Sequence, residues 1–175
     1  MTVATLVLLV VLSLASLPLW WRRVVPLNGL REGWALGLLA LLGASSLTAL
    51  AAAPLGRWSE AALLAAVVVA AATGGGPVTE VVLRRASRGP VPAIDTEGGP
   101  QVLRGGAWIG ALERVGVCVA VLASSPEAVA VVLAVKGLGR YPELRHPGAS
   151  ERFIIGTLAS LLWATAAAGV GILAL

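Results

Sequence analysis

Cysteine, histidine and aspartate are almost missing from this chain, with Cys118, His146 and Asp95 the single residues of their types. One cysteine excludes an intramolecular disulfide, and Cys118 with His146 is too small a donor set for a recognisable zinc site. Cys118 reads as a small buried apolar residue. Charge is scarce as well, at 13% of residues, where an ordinary soluble domain carries about a quarter. The 13 basic and 9 acidic residues leave a net charge of +4, but the basic ones fall between hydrophobic runs and form no stripe on a polar face. That arrangement points away from nucleic acid and towards loops lying beside anionic lipid.

Hydrophobic residues fill the space the missing types leave, at 58% of the chain and a mean hydropathy of +0.90. This is the composition of an all-α, multi-pass membrane protein. The run from Val3 to Trp21 has no basic residues ahead of it and meets Arg22-Arg23 only at its far end. It therefore reads as a retained first span and not as a cleaved secretory signal.

Counting apolar runs of about 20 residues between charges predicts six spans in a single membrane domain. They cover approximately residues 2–21, 33–53, 61–73 with an extension to 86, 105–123, 127–144 and 151–174. Trp20-Trp21 suits the headgroup boundary at the end of the first. Pro26, Asn28 and Gly29 mark the turn that follows, taken to run to Glu32. In the second span Ala40, Ala44, Thr48 and Ala52 repeat every four residues, a spacing that lets another backbone approach. The third meets Gly74-Gly75-Gly76-Pro77, which predicts either a broken helix resuming at Val78 or a thin, tilted crossing. No Gly-Lys-Ser/Thr follows those glycines, so they are not a phosphate loop. Glu80 and Arg84 form a four-residue surface pair. Residues 87–104 are the one long hydrophilic stretch and read as a cytoplasmic loop. Arg84-Arg85-Ala86-Ser87 has the look of a basophilic phosphorylation site, though a basic cluster that sets topology explains it.

Arginine placement gives an orientation. Arg22, Arg23, Arg31, Arg84, Arg85, Arg88, Arg104, Arg140 and Arg145 follow spans one, three and five, and only Arg57 lies on the other side. The positive-inside rule places those loops in the cytoplasm and both termini outside.

Three ionisable residues fall within apolar segments, Glu113, Arg114 and Lys136. Each costs several kcal/mol in lipid unless paired or solvated. With a rise of about 1.5 Å per residue, Glu113 and Lys136 reach similar depth on two spans joined by the tight Ser124-Ser125-Pro126-Glu127 turn, so an ion pair between them is the expected compensation. Arg114, one residue on, reaches another helix or snorkels inward. Lys136, Arg140 and Glu143 share a face running towards the cytoplasmic surface, where Glu151 and Arg152 begin the last span. These seven residues carry one net positive charge and form a candidate site for an anionic lipid or small anion. Gly106 and Gly110, then Gly156, Thr157 and Ser160 with Ala164 and Ala168, are the small residues expected at the helix contacts.

Within this region Ile109, Gly110, Leu112, Glu113 and Arg114, then Ala134, Lys136 and Arg140, then Glu151, Ile155, Gly156, Thr157, Leu158 and Ser160 reproduce a signature of three helices. Over roughly residues 105–175 the chain resembles an uncharacterised family of small bacterial polytopic membrane proteins. The first two spans have no counterpart in that pattern, and Gly137-Leu138-Gly139 stands where bulkier residues are expected. The resemblance implies a membrane bundle and carries no activity with it.

Three functions are open at this point. One is a transport or lipid-binding module whose charged site takes an anionic ligand. The second is a structural or accessory subunit, a homo-oligomer or the companion of another membrane protein, whose charges fix helix register. The third is an intramembrane enzyme with Glu113 or Glu151 as base. Chemistry is the poorest fit, because no nucleophile has an adjacent base and no carboxylate cluster suggests a metal or another cofactor. Asp95 being alone, the paired acidic motif of the phosphatidyl-alcohol transferases is absent.

Overall fold

The structure, a computed structural model, describes residues 2–20, 28–51, 56–86, 106–141 and 147–175. All regular structure in these residues is helical: α1 (Thr2–Trp20), α2 (Asn28–Leu50), α3 (Arg57–Ala86), α4 (Gly106–Leu122), α5 (Pro126–Arg140) and α6 (Pro147–Ala174). Arg22, Arg23, the 87–104 stretch with Asp95, and Glu143, Arg145 and His146 lie outside the described residues.

Every helix except α5 buries a stripe of residues spaced three and four apart, the spacing that keeps side chains on one face. In α1 the stripe is Thr5, Leu9, Leu12 and Ser16, and in α2 it is Ala35, Leu38, Leu42, Ser45 and Ala49. The second differs from the expected Ala40 repeat: Ala40 is exposed. The inward face combines Leu38 and Leu42 with the small residues Ala35, Ser45 and Ala49, whereas Leu36, Leu39, Leu47 and Leu50 are exposed. Thr5 donates to Thr48 at 2.9 Å, and the Trp34 indole donates to the Ala15 carbonyl at 2.7 Å. These bonds join opposite ends of α1 and α2, which are therefore antiparallel.

Helix α3 is the centre of the bundle and touches α1, α2, α4 and α6. It runs unbroken through Gly74-Gly75-Gly76-Pro77, a rise of about 45 Å over its 30 residues. Of the two outcomes the sequence left open, a broken helix and a thin, tilted crossing, the break does not occur. Glycine's weak helix propensity costs about 1 kcal/mol per residue, less than exposing unsatisfied backbone groups where no water can take them up. The helix therefore persists although Pro77 offers no N–H to Thr73.

Three helical stretches, Leu30–Leu50, Arg57–Ala86 and Ser150–Ala174, are long and apolar enough to cross a membrane. Val3–Pro18 is apolar but shorter. The 17 residues of α4 and 15 of α5 rise about 26 and 23 Å, against a hydrocarbon core of about 30 Å. The fifth segment ends its helix at Arg140, before Pro142. Helix α5 has no buried residue and rests chiefly on α4.

The N-terminal turns of α2 hold Arg31 and Glu32, both placed by sequence in the preceding loop. Arg31 pairs with Glu80 at 2.8 Å, Glu80 also accepts from Arg84, and Glu32 pairs with Arg85. Helices α2 and α3 are thus antiparallel, clamped at one end. Gly171 lies against Leu122 and Val67, and Gly156 against Leu83, so α6 runs parallel to α4 and antiparallel to α3. Arg31, Arg84, Arg85, Arg140 and Arg152 consequently gather at one end of the bundle, and Arg57 stands at the other.

Candidate functional site

A polar layer crosses the middle of the bundle. Its first member, Arg114, sits about 12 Å from the start of α4, and its side chain is buried at 4% exposure. The guanidinium reaches across to the midpoint of α3. Nε donates to the carbonyls of Ala71 and Ala72, each at 3.1 Å, and Nη2 donates to Ala72 at 2.7 Å. A carbonyl oxygen has two lone pairs, so one within a helix can accept from a side chain as well as from its own helix. Hydrogen bonds from a charged donor contribute about 1.5–3 kcal/mol each, which together offset much of the cost of burying the guanidinium.

The glycine run makes that reach possible. A β-carbon on Gly75 would stand 2.9 Å from Arg114 Nε and 2.7 Å from Trp163 Cδ1, and one on Gly74 would stand 3.0 Å from Trp163 Cε2. Arg114 from α4 and Trp163 from α6 therefore lie directly on bare backbone. Trp163, 3% exposed, donates its indole N–H to the Ala70 carbonyl at 3.2 Å. Three successive carbonyls of α3, those of residues 70, 71 and 72, receive donors from two neighbouring helices.

The second member is the Glu113–Lys136 ion pair, which joins α4 to α5. Both side chains are 18% exposed. The Lys136 ammonium also lies 6.0 Å from the centroid of the Phe153 ring on α6, at the limit of a cation–π contact. Between α4, α5 and α6 these residues line a small, partly open cavity of about 10 Å³, which Arg114, Val117, Thr157 and Ser160 also line. The Thr157 hydroxyl is fully buried and has no hydrogen-bond partner in the protein, as is the Thr79 hydroxyl on α3. Such a group costs about 1–3 kcal/mol if nothing satisfies it.

Of the site residues named from sequence, Glu113, Arg114 and Lys136 share one layer. Arg140 is half-buried at the end of α5, and Glu151 and Arg152 are exposed near the start of α6, away from the cavity. Among the small residues, Gly156 packs on Leu83 and Gly110 faces Arg114 Nη1, whereas a β-carbon on Gly106 would meet nothing. Ser160, Ala164 and Ala168 are buried. Gly74, Gly75 and Trp163 were not foreseen as parts of the layer. The sequence signal for them is a glycine run and a tryptophan in the middle of a long apolar segment. Among the described residues no group of three or more His, Cys, Asp or Glu side chains could hold a metal ion. No family model, curated protein or solved structure matches the chain.

Proposed function

We propose that this protein is a structural or accessory subunit of the cell membrane, in which the polar layer sets the register of the helices and carries out no chemistry. The observation that carries this reading is that the layer's charges are already engaged within the protein: Arg114 by the carbonyls of Ala71 and Ala72, Glu113 and Lys136 by one another. Buried ionic groups of this kind have their best-attested role in specifying register.

An anionic lipid or small anion at Glu113, Arg114 and Lys136 finds less support. The adjoining cavity, about 10 Å³, is far smaller than a headgroup, and its carboxylate opposes an anion. The resemblance of residues 105–175 to small bacterial membrane proteins agrees with a bundle role and adds no activity.

In this reading all six helices lie across the bilayer, with α1, α4 and α5 held as short or tilted crossings beside the long α2, α3 and α6. The arginine-rich end faces the cytoplasm, both termini face outside, and a cytoplasmic partner docks on the sequence from Arg84 to Arg104.

The test is charge exchange. The double variant Glu113→Lys/Lys136→Glu is expected to reach the membrane and to keep the subunit number of the wild type in native mass spectrometry, because the pair is preserved with its sign reversed. An anionic lipid that travels with the wild type and is lost from Lys136→Met would instead establish the ligand-binding role.

A further inference from the structure

The cavity between α4, α5 and α6 has features that a contact between helices does not need. Several described hydroxyls in this bundle return to their own helix: Thr73 donates to Val69, Ser45 to Leu41, Ser46 to Leu42 and Ser13 to Leu9. Thr157 does not, and its buried oxygen has no partner in the protein. It lines the same small cavity as Glu113, Lys136 and Ser160.

We propose that this cavity is a binding site for one water molecule, which links the Thr157 hydroxyl to the Glu113–Lys136 pair. The volume, about 10 Å³, matches roughly one probe sphere, the least that a water needs. Chemistry selects water over an ion of similar size. The Glu113 carboxylate can only accept, the Lys136 ammonium can only donate, and Thr157 can do either. An occupant that serves the two charged groups together must donate and accept. A halide cannot donate to Glu113, and ammonium cannot accept from Lys136. Water does both and has the two to four partners that buried waters typically use.

The site deepens the register role and rests on that reading, because the water would add a contact from α6 to a pair otherwise shared by α4 and α5. Helix α5, which buries no residue of its own, would then be held by a three-helix junction.

The experiment is infrared difference spectroscopy of the purified protein in H₂¹⁶O and H₂¹⁸O, on the wild type, Thr157→Val and Thr157→Ser. Valine keeps the shape of threonine and removes the hydroxyl, whereas serine keeps the hydroxyl. A band from a buried water, shifted by ¹⁸O, is expected in the wild type and in Thr157→Ser and is expected to vanish in Thr157→Val. Thr157→Val should also melt about 3 °C lower, because the water loses an anchor. The sign of that shift is diagnostic: with no water at the site, valine removes an unsatisfied hydroxyl and the protein becomes more stable. A wild type without an ¹⁸O-sensitive band, or a Thr157→Val protein that keeps the band or melts higher, overturns the proposal. Failure of the charge exchange together with a normal water band would overturn the register role and leave the water in place.

Discussion

Gly75 and Arg114 compete for the same space: a β-carbon on the glycine would come within 2.9 Å of the arginine Nε. The contact of α3 with α4 is therefore set by an absent side chain, and the arginine reaches the backbone only because α3 offers no obstacle at that turn.

Gly75→Ala should destabilise the protein by about 2–3 kcal/mol, since neither the arginine stem nor the Trp163 ring can move without breaking a bond to α3. Gly76→Ala is the control. Its β-carbon would meet Arg114 Nη2 at an ordinary 3.7 Å, and the better helix former should leave stability unchanged or raise it by about 0.5–1 kcal/mol. Reversible unfolding in mixed detergent, followed by circular dichroism, measures both.

Combining Gly75→Ala with Arg114→Ala should cost less than the sum of the two single changes. Once the arginine is truncated, the new methyl group no longer collides with it. A coupling of about 1–3 kcal/mol is expected from the double-mutant cycle, whereas strict additivity would mean that the two residues do not share the site.

Lys136→Met leaves a carboxylate without its partner in the middle of the bundle, and about 3 kcal/mol of stability should be lost. Glu113→Gln/Lys136→Met removes both charges and should recover most of that loss. The same unfolding assay reports the recovery, and a double variant as unstable as the single one would count against the pair.

Cys118 is 0% exposed and supplies a native probe. In the folded wild type it should resist a maleimide reagent and react only as the bundle opens. Gly75→Ala should therefore speed its labelling under native conditions, and Gly76→Ala should not.

Much of this architecture is legible in the sequence because long apolar runs separated by charges leave few alternatives to packed helices. Apolar runs between charges locate the six helices, and the tight turn at Ser124-Ser125-Pro126 brings Glu113 and Lys136 together. The glycine run is harder to interpret. Three glycines before a proline spell a break in water, while in an apolar bundle the same residues give a continuous helix with a bare flank. Only the positions of Arg114 and Trp163 distinguish the two outcomes, and those depend on how α4 and α6 are turned. Arg31 and Glu32 were hidden for a related reason: Asn28 and Gly29 look like turn residues, yet α2 starts on them and carries the two charges to Glu80 and Arg85.

The carbonyls of residues 70–72 also imply an order of events during synthesis. In the membrane reading proposed above, the chain enters the bilayer from its N-terminus, and α3 precedes Arg114. The arginine then has acceptors waiting for it and need not be stranded in lipid. Trp163 comes last and covers what remains of the groove. A protein truncated after α5 would insert with its cation already held but with Gly74 uncovered, a half-closed intermediate for membrane quality control to recognise.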